Sequence, residues 1–329
     1  IRAAENGKQV TVVVELKARF DEARNLDRAE ELERAGVQIV YGVKALKTHC
    51  KATLVLRREA GELRHYTHFG TGNYNEVTAR LYTDISYMTA RRDYGREAAR
   101  LFNALTGGAK LSSMEHLLAA PFYLRRRILD LIDSERQRAL NGEEARIDIK
   151  ANSLQDHEVI EALYAASAAG VKVRLNIRGI CCLQPGLKKI SKNIEVVSIV
   201  DRYLEHARIY SFHNGGKPLL FISSADLMER NLDRRVELLV AVTDKGCRER
   251  LAGLLEWHFK DNAQSYDLLE DGTYRRRRAR KGKKKVRVQE QLQRAAEAGS
   301  EGREGHADDG YFQPHVPPGQ SKITAIEVN

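Results

Sequence analysis

The sequence predicts an α/β fold in which one unit is built twice. β-branched runs alternate with amphipathic helical stretches, which argues for helices layered on sheets. The order of these segments then recurs in the second half, with chemically matching residues at matching places. A strongly basic stretch near the C-terminal end differs in composition from both halves.

In the first half, "QVTVVVEL" (9–16) reads as a buried strand and "NLDRAEELERAG" (25–36) as a helix closed by Gly36. Strands follow at 37–43 and 50–58, with a hairpin turn at Gly61 into 59–70, and a helix over 96–108 ends on a glycine pair. Residues 116–140 read as helix-rich. The order then repeats: strand 145–152, helix 157–170, strand 171–179, strands at 193–200, 206–216, 218–225 and 234–242, and a helix over 246–264. The expected division is a first domain over 1–108, a second over 109–270, and a basic, largely disordered tail over 271–329 with a short helix near 288–297.

At 329 residues the chain is long enough for roughly two domains with a substantial core. No run approaches the ~18 apolar residues needed to span a bilayer, so a soluble, cytoplasmic protein is expected, with peripheral attachment at the inner membrane as a variant. The opening "IRAAENGKQV" is neither a signal peptide nor an initiator methionine and reads as a chain entered part-way. The net charge of +10 equals the ten Lys/Arg of "RRRRARKGKKKVR" (275–287), a run without acids. The rest of the chain is therefore near neutral, and nucleic acid is a candidate partner only through this run. Cys50, Cys181, Cys182 and Cys247 show no zinc-ligand spacing and are expected to be buried thiols.

The repeat points to a site. His49-Cys50-Lys51 aligns with His206-Ala207-Arg208: a histidine, a spacer and a cation on the same strand face. "GTGNYNEVTARLYTD" (70–84) lies without gaps over "SSADLMERNLDRRVE" (223–237), which places Glu76 over Glu229 and Asp84 over Glu237. If the copies pack about a pseudo-twofold axis, both histidines face one cleft. One could then attack phosphorus while the other handles the proton of the leaving oxygen, with Lys51 and Arg208 neutralising phosphate charge. The four acids either orient the histidines and cations or sit in ordinary strand-end salt bridges.

This pattern resembles the phospholipase D superfamily, whose repeats carry His-x-Lys-x4-Asp. The aspartate positions hold Leu56 and His213 here, and the second lysine is Arg208. With the blocks "VELKARFDEARN", "GVKALKTHCKATLV", "HFGTGNYNEVTARLYTD", "VRLNIRGICCLQPG", "IVDRYLEHARIY" and "SSADLMERNLDRRVE", the sequence is similar to the long, histidine-phosphorylating bacterial polyphosphate kinases. The resemblance runs from residue 1 to about 275. It implies two tandem phospholipase D-like domains with the active site between them, without the family's N-terminal and helical head domains.

The resemblance further implies that His49 accepts the γ-phosphate of ATP and that His206 contacts nucleotide phosphate across the site. Tyr82 and Arg178 match positions assigned to ATP. On residues alone, ordinary strand packing for Tyr82 and a surface ion pair for Arg178 are the better readings. Arg19 matches a magnesium position, but a guanidinium has no lone pair to give a metal, so holding phosphate oxygens beside Mg2+ is its expected role. ATP or ADP and inorganic polyphosphate are the implied partners, and the full-length protein is expected to be a homo-oligomer. The rival readings are a phosphodiesterase or nuclease using the same histidines, and a non-catalytic polyanion-binding fragment.

Overall fold

The computed structural model describes residues 1–15, 22–43, 45–279, 281–282 and 284–301. Residues 1–289 form one compact unit, and the described part of a second unit, residues 290–301, continues the last helix. Among the described residues no helix is long and apolar enough to cross a membrane.

The first copy runs α1 (Arg2–Glu5), β1 (Thr11–Val14), α2 (Glu22–Arg34), β2 (Gln38–Tyr41), β3 (Lys47–Thr48), β4 (Lys51–Glu59), β5 (Glu62–Gly70), α3 (Glu76–Leu81), β6 (Tyr82–Thr83), β7 (Ser86–Thr89) and α4 (Arg92–Gly107). The hairpin between β4 and β5 turns at Ala60 and Gly61, both with positive φ, as the glycine there suggested. Asn75 starts α3 by accepting hydrogen bonds from the backbone of Val77 and Thr78.

The second copy follows as β8 (Leu117–Ala120), α5 (Leu124–Leu140), β9 (Arg146–Ala151), α6 (His157–Ala168), β10 (Lys172–Ile177), β11 (Ile194–Ile199), β12 (Leu204–Glu205), β13 (Arg208–Phe212), β14 (Leu219–Ser223), α7 (Glu229–Asp233), β15 (Arg235–Ala241) and α8 (Lys245–Lys260). Then come β16 (Ser265–Leu268), β17 (Tyr274–Arg276) and α9 (Val288–Glu301). Leu117–Ala120, expected within a helical region, is instead a strand pairing antiparallel with β15. All four of its residues are buried, so the apolar run has no polar face to reveal its period.

The main sheet has the order β17-β16-β11-β10-β9-β13-β14-β15-β3, with β8 also on β15. β9, β10 and β11 are parallel; apolar and polar residues alternate along β9 and β10, yet most positions on both faces are buried, because the sheet is covered on both sides. One core cluster lies on the α5–α6 side and includes Ile147, Ile149, Leu175 and Tyr210. The other lies on the α4–α8 side, with Phe69, Tyr94, Val197 and Ile222. In the second copy β9 pairs with both β10 and β13. In the first copy β1-β2 and β4-β5-β7 are separate sheets, with no strand joining them among the described residues.

Two short parallel pairings tie the copies together crosswise. β3 of the first copy joins β15 of the second, and β12 of the second joins β6 of the first. Each pairing leads directly into a histidine segment. His49 and Cys50 donate their backbone N–H groups to Val236 O, and His206 and Ala207 donate theirs to Thr83 O. The strand expected over 206–216 therefore enters its own sheet only at Arg208.

The chain beyond 270 contributes more to this body than its composition suggests. β17 pairs with β16, and Val288 is fully buried. The arginines of this stretch find partners on the fold: Arg277 pairs with Asp267 at 2.5 Å, and Arg287 with Asp201 at 2.5 Å. Composition alone cannot show such pairing, because the acids lie elsewhere in the sequence.

Candidate active site

Each histidine is held by a carboxylate from the other copy. His49 Nδ1 lies 2.9 Å from Glu237, and His206 Nδ1 lies 2.8 Å from Asp84. A carboxylate on Nδ1 fixes the ring and selects the tautomer with the proton on Nδ1, which leaves the Nε2 lone pair outward. Of the four acids singled out in the sequence, Asp84 and Glu237 orient the histidines, while Glu229 makes an exposed ion pair with Arg234.

The loops before these acids repeat the same device. Thr71 Oγ1 donates to Asp84 and accepts from Ile85 N–H. Ser224 Oγ donates to Glu237 and accepts from Leu238 N–H. Glu237 is fully buried and also accepts from Asn231 Nδ2 at 2.7 Å. Asp84 is partly open, with its side chain 23% exposed.

The two cations also match. Lys51 Nζ donates to His49 O, and Arg208 Nη1 donates to His206 O at 2.8 Å. Arg208 makes a two-pronged pair with Asp226, at 3.2 and 3.0 Å. Arg208 Nη1 also reaches the first copy at Thr71 O, 3.4 Å away, so the cleft is stitched across the repeat. It lies 3.1 Å from His206 Nε2. His49 Nε2, by contrast, has no hydrogen-bond partner among the described residues.

Burial sets the protonation states. It lowers the pKa of His49, against the pull of Glu237, and lowers that of His206 against Asp84. Both rings are therefore biased toward the neutral, nucleophilic form. Burial also brings the Lys51 ammonium down to about 8. Cys50, between His49 and Lys51, is pushed up to about 12 by burial and remains an unreactive thiol. The four cysteines are free, but Cys182 and Cys247 are exposed rather than buried as expected.

A cradle of side chains holds the backbone at His206. Arg178 Nε donates to Glu205 O at 2.7 Å and to Asn152 Oδ1 at 2.5 Å. Asn152 Nδ2 donates to His206 O, and Lys150 Nζ to Ala207 O. Arg178 and Asn152 follow directly on β10 and β9, so the site occupies the carboxyl edge of the parallel strands. Tyr82 stacks obliquely against His206, with ring centroids 5.0 Å apart. Leu56 is exposed in mid-β4, and His213 donates its backbone N–H to Arg146 O at the opposite end of β9. Neither position could serve a diesterase aspartate at this cleft.

Among the described residues no cluster of three or more His, Cys, Asp or Glu could cage a metal ion. Asp226 is bound by Arg208, and Asp84 and Glu237 are committed to the histidines. These residues do not fit a protein-only magnesium site. Arg19 lies outside the described residues.

The Polyphosphate kinase C-terminal domain 1 family matches residues 1–111, and Polyphosphate kinase C-terminal domain 2 matches residues 117–289. The chain belongs to the polyphosphate kinase family. A polyphosphate kinase of Rhodopirellula baltica is 52% identical over 318 residues, covering 96% of this chain and 37% of the relative. One from Bacillus cereus is 49% identical over 83% of this chain and 39% of its own length. The crystal structure of polyphosphate kinase from Porphyromonas gingivalis superposes with a TM-score of 0.83 at 40% identity, over 91% of this chain and 46% of that one. The chain thus spans less than half the length of these polyphosphate kinases.

Within the polyphosphate kinase architecture, the structure gathers His49, Lys51, Tyr82, Arg178, His206 and Arg208 around one cross-braced cleft. Sequence reasoning missed Asn152, Lys150, Glu205 and Asp226 as supports of His206. Lys150 and Glu205 are a fully buried pair 3.1 Å apart, and Glu205 also accepts from His258. Burial cannot be read from one sequence: in "ARIDIKAN" Lys150 falls on the polar phase of a regular alternation with Arg146 and Asp148, which looks like a solvent-facing position.

Proposed function

We propose that this chain carries the two C-terminal catalytic domains, over 1–108 and 109–270, of an enzyme that moves the γ-phosphoryl group of ATP to inorganic polyphosphate through a phosphohistidine on His49. The single observation that carries this reading is the asymmetry between the crossed histidines: His49 is oriented by Glu237 with its Nε2 unengaged, while Arg208 lies against Nε2 of His206.

The His49 Nε2 lone pair attacks the γ-phosphorus. The bond from that phosphorus to the β–γ bridging oxygen breaks, and its electron pair leaves with ADP. The Nδ1 proton stays on the imidazole, hydrogen-bonded to Glu237, which supports the positive charge of the phosphorylated ring. A terminal polyphosphate oxygen then attacks the same phosphorus, the N–P bond breaks, and its pair returns to Nε2. Each step is reversible toward ATP. His206, backed by Asp84, presents an Nε2 lone pair that takes up a proton from the incoming phosphate group, and the imidazolium so formed returns it to the departing oxygen in the reverse direction. Lys51, Arg208 and the Nη groups of Arg178 neutralise charge on the equatorial oxygens. Tyr82 contributes a ring beside the nucleotide. Mg2+ would enter with the nucleotide phosphates, which suits an ion that keeps few protein ligands. A reaction that draws on ATP places the enzyme in the cytoplasm.

Incubation of the full-length protein with γ-labelled ATP tests the reading. Acid-labile, base-stable label is expected on the protein, absent from His49→Ala, and transferred to polyphosphate on a chase. Label that persists in His49→Ala overturns the assignment. Release of products from phosphodiesters without polyphosphate synthesis favours the hydrolase.

A further inference from the structure

The basic run leaves and rejoins the fold at the sheet edge that carries the candidate active site. β17 is antiparallel to β16, and β16 is antiparallel to β11, so β17 runs in the direction of β11. It delivers Arg277, whose N–H donates to Ser265 O, at the carboxyl end of β11, where Ser265 pairs with Ile199. Arg178 and Asn152 stand at the same ends of the neighbouring strands. The chain returns there too. Asn262 and Val286 exchange two hydrogen bonds, at 2.8 and 3.0 Å, and Asn262 Nδ2 donates to Lys284 O. Gln289 Nε2 then donates to the Glu205 carboxylate at 2.8 Å, one residue before His206.

The flanking arginines, Arg277 and Arg287, are consumed by ion pairs to Glu195, Asp267 and Asp201. Between them Arg278, Lys281, Lys284 and Lys285 are exposed, and among the described residues none has a carboxylate partner. The run from 275 to 287 contains no acid and no aromatic residue. Cations without stacking side chains suit a ligand recognised by backbone charge alone, and a base-bearing strand would use aromatic platforms.

We propose that the loop carrying Arg278, Lys281, Lys284 and Lys285 is a docking strip for inorganic polyphosphate, holding phosphates of the chain remote from the reacting end. This rests on the function proposed above and assigns to the same site its polymer-binding extension. Four cations in a loop pinned at both ends add affinity only for a chain long enough to reach them from the cleft.

The test uses the full-length protein and a variant with Arg278→Gln, Lys281→Gln, Lys284→Gln and Lys285→Gln. The probes are fluorescent long-chain polyphosphate, tripolyphosphate, and single-stranded DNA of equal charge. Long-chain affinity is expected to fall tenfold or more, and the slope of log K against log salt to flatten by about 3–4. KM should rise for long chains with kcat unchanged, while tripolyphosphate affinity, KM for ATP and Tm stay as in the parent. Unchanged long-chain affinity and slope overturn the proposal. A loss confined to DNA overturns it in favour of nucleic acid. A parent that binds polyphosphate but forms no phosphohistidine sinks the kinase reading instead, and the binding comparison still decides the strip.

Discussion

Asp84 lies 2.8 Å from Nδ1 of His206, although the aspartate belongs to the first copy of the repeat and the histidine to the second. The reciprocal pair, His49 and Glu237, has the same form. Neither His49 nor His206 is oriented by a carboxylate of its own copy. The cleft is therefore a property of the duplicated fold, and the parallel pairings β3 with β15 and β12 with β6 set its geometry.

The two carboxylates should not be interchangeable in their effects. Glu237→Gln removes the charge behind the proposed nucleophile and can stabilise the wrong imidazole tautomer, so His49 phosphorylation should slow by roughly 10²–10⁴-fold. Asp84→Asn should leave a measurable phosphorylation burst but slow steady turnover, because it acts through His206. Rapid-quench labelling separates the two. Equal bursts in both variants would refute distinct roles for the histidines.

The pH profile should have two limbs with separate owners. Burial lowers the pKa of His49, so its neutral form persists below the usual imidazole range and the acid limb falls there. Burial brings Lys51 to about 8, so its positive charge is lost as pH rises through that value and the alkaline limb falls near it. Lys51→Arg keeps the charge to far higher pH, and the alkaline limb should move up by a unit or more, whatever the cost in maximal rate. A limb that stays near 8 in this variant would assign it to another group.

The buried Lys150–Glu205 pair yields a stability prediction. Lys150→Met leaves the Glu205 carboxylate inside the protein without its ammonium partner, which should cost about 3–5 kcal/mol. Glu205→Gln in the same chain removes the stranded charge and should recover part of that loss. His258, Gln289 and Thr83 also contact Glu205, so recovery is incomplete. Denaturant unfolding of the two single variants and the double variant measures the coupling. Strict additivity would show that the pair does not act as a unit.

The parts legible in the sequence were those that repeat. The hairpin at Gly61 and the helices over 92–107 and 157–168 follow from local periodicity and turn chemistry. The histidine and cation pairs, and the equivalence of Asp84 with Glu237, follow from the gapless overlay. What the overlay could not give was partnership: it shows that Asp84 corresponds to Glu237, but not that each serves the histidine of the opposite copy. The two-residue strands β3, β6 and β12 carry that exchange, and they are too short to leave a periodic signal. Charge and polarity also conceal that Lys150 and Glu205 lie in the interior, where they satisfy each other.

Gly72 offers a way to disturb one half of the cleft without touching a charged group. A Cβ at this position would stand 2.2 Å from Asp84 Oδ2 and 2.8 Å from its Cβ, so the aspartate would have to move. The equivalent position in the second copy is Ala225, fully buried and tolerated beside Glu237. Glutamate has one methylene more than aspartate, so the first copy combines the shorter acid with the missing methyl. Gly72→Ala should therefore displace Asp84 from His206 and from Thr71 Oγ1, while the backbone bond from Thr71 N–H to Ile85 O persists. Turnover should drop by roughly 10–10²-fold, the range for misplacing a catalytic group by about 1 Å. Because Asp84 raises the pKa of His206, its withdrawal should lower that pKa further, visible as the titration midpoint of one histidine resonance moving to lower pH. The double variant Gly72→Ala/Asp84→Asn should be no slower than Asp84→Asn alone. A further loss in the double variant would mean that the methyl acts through something other than the aspartate.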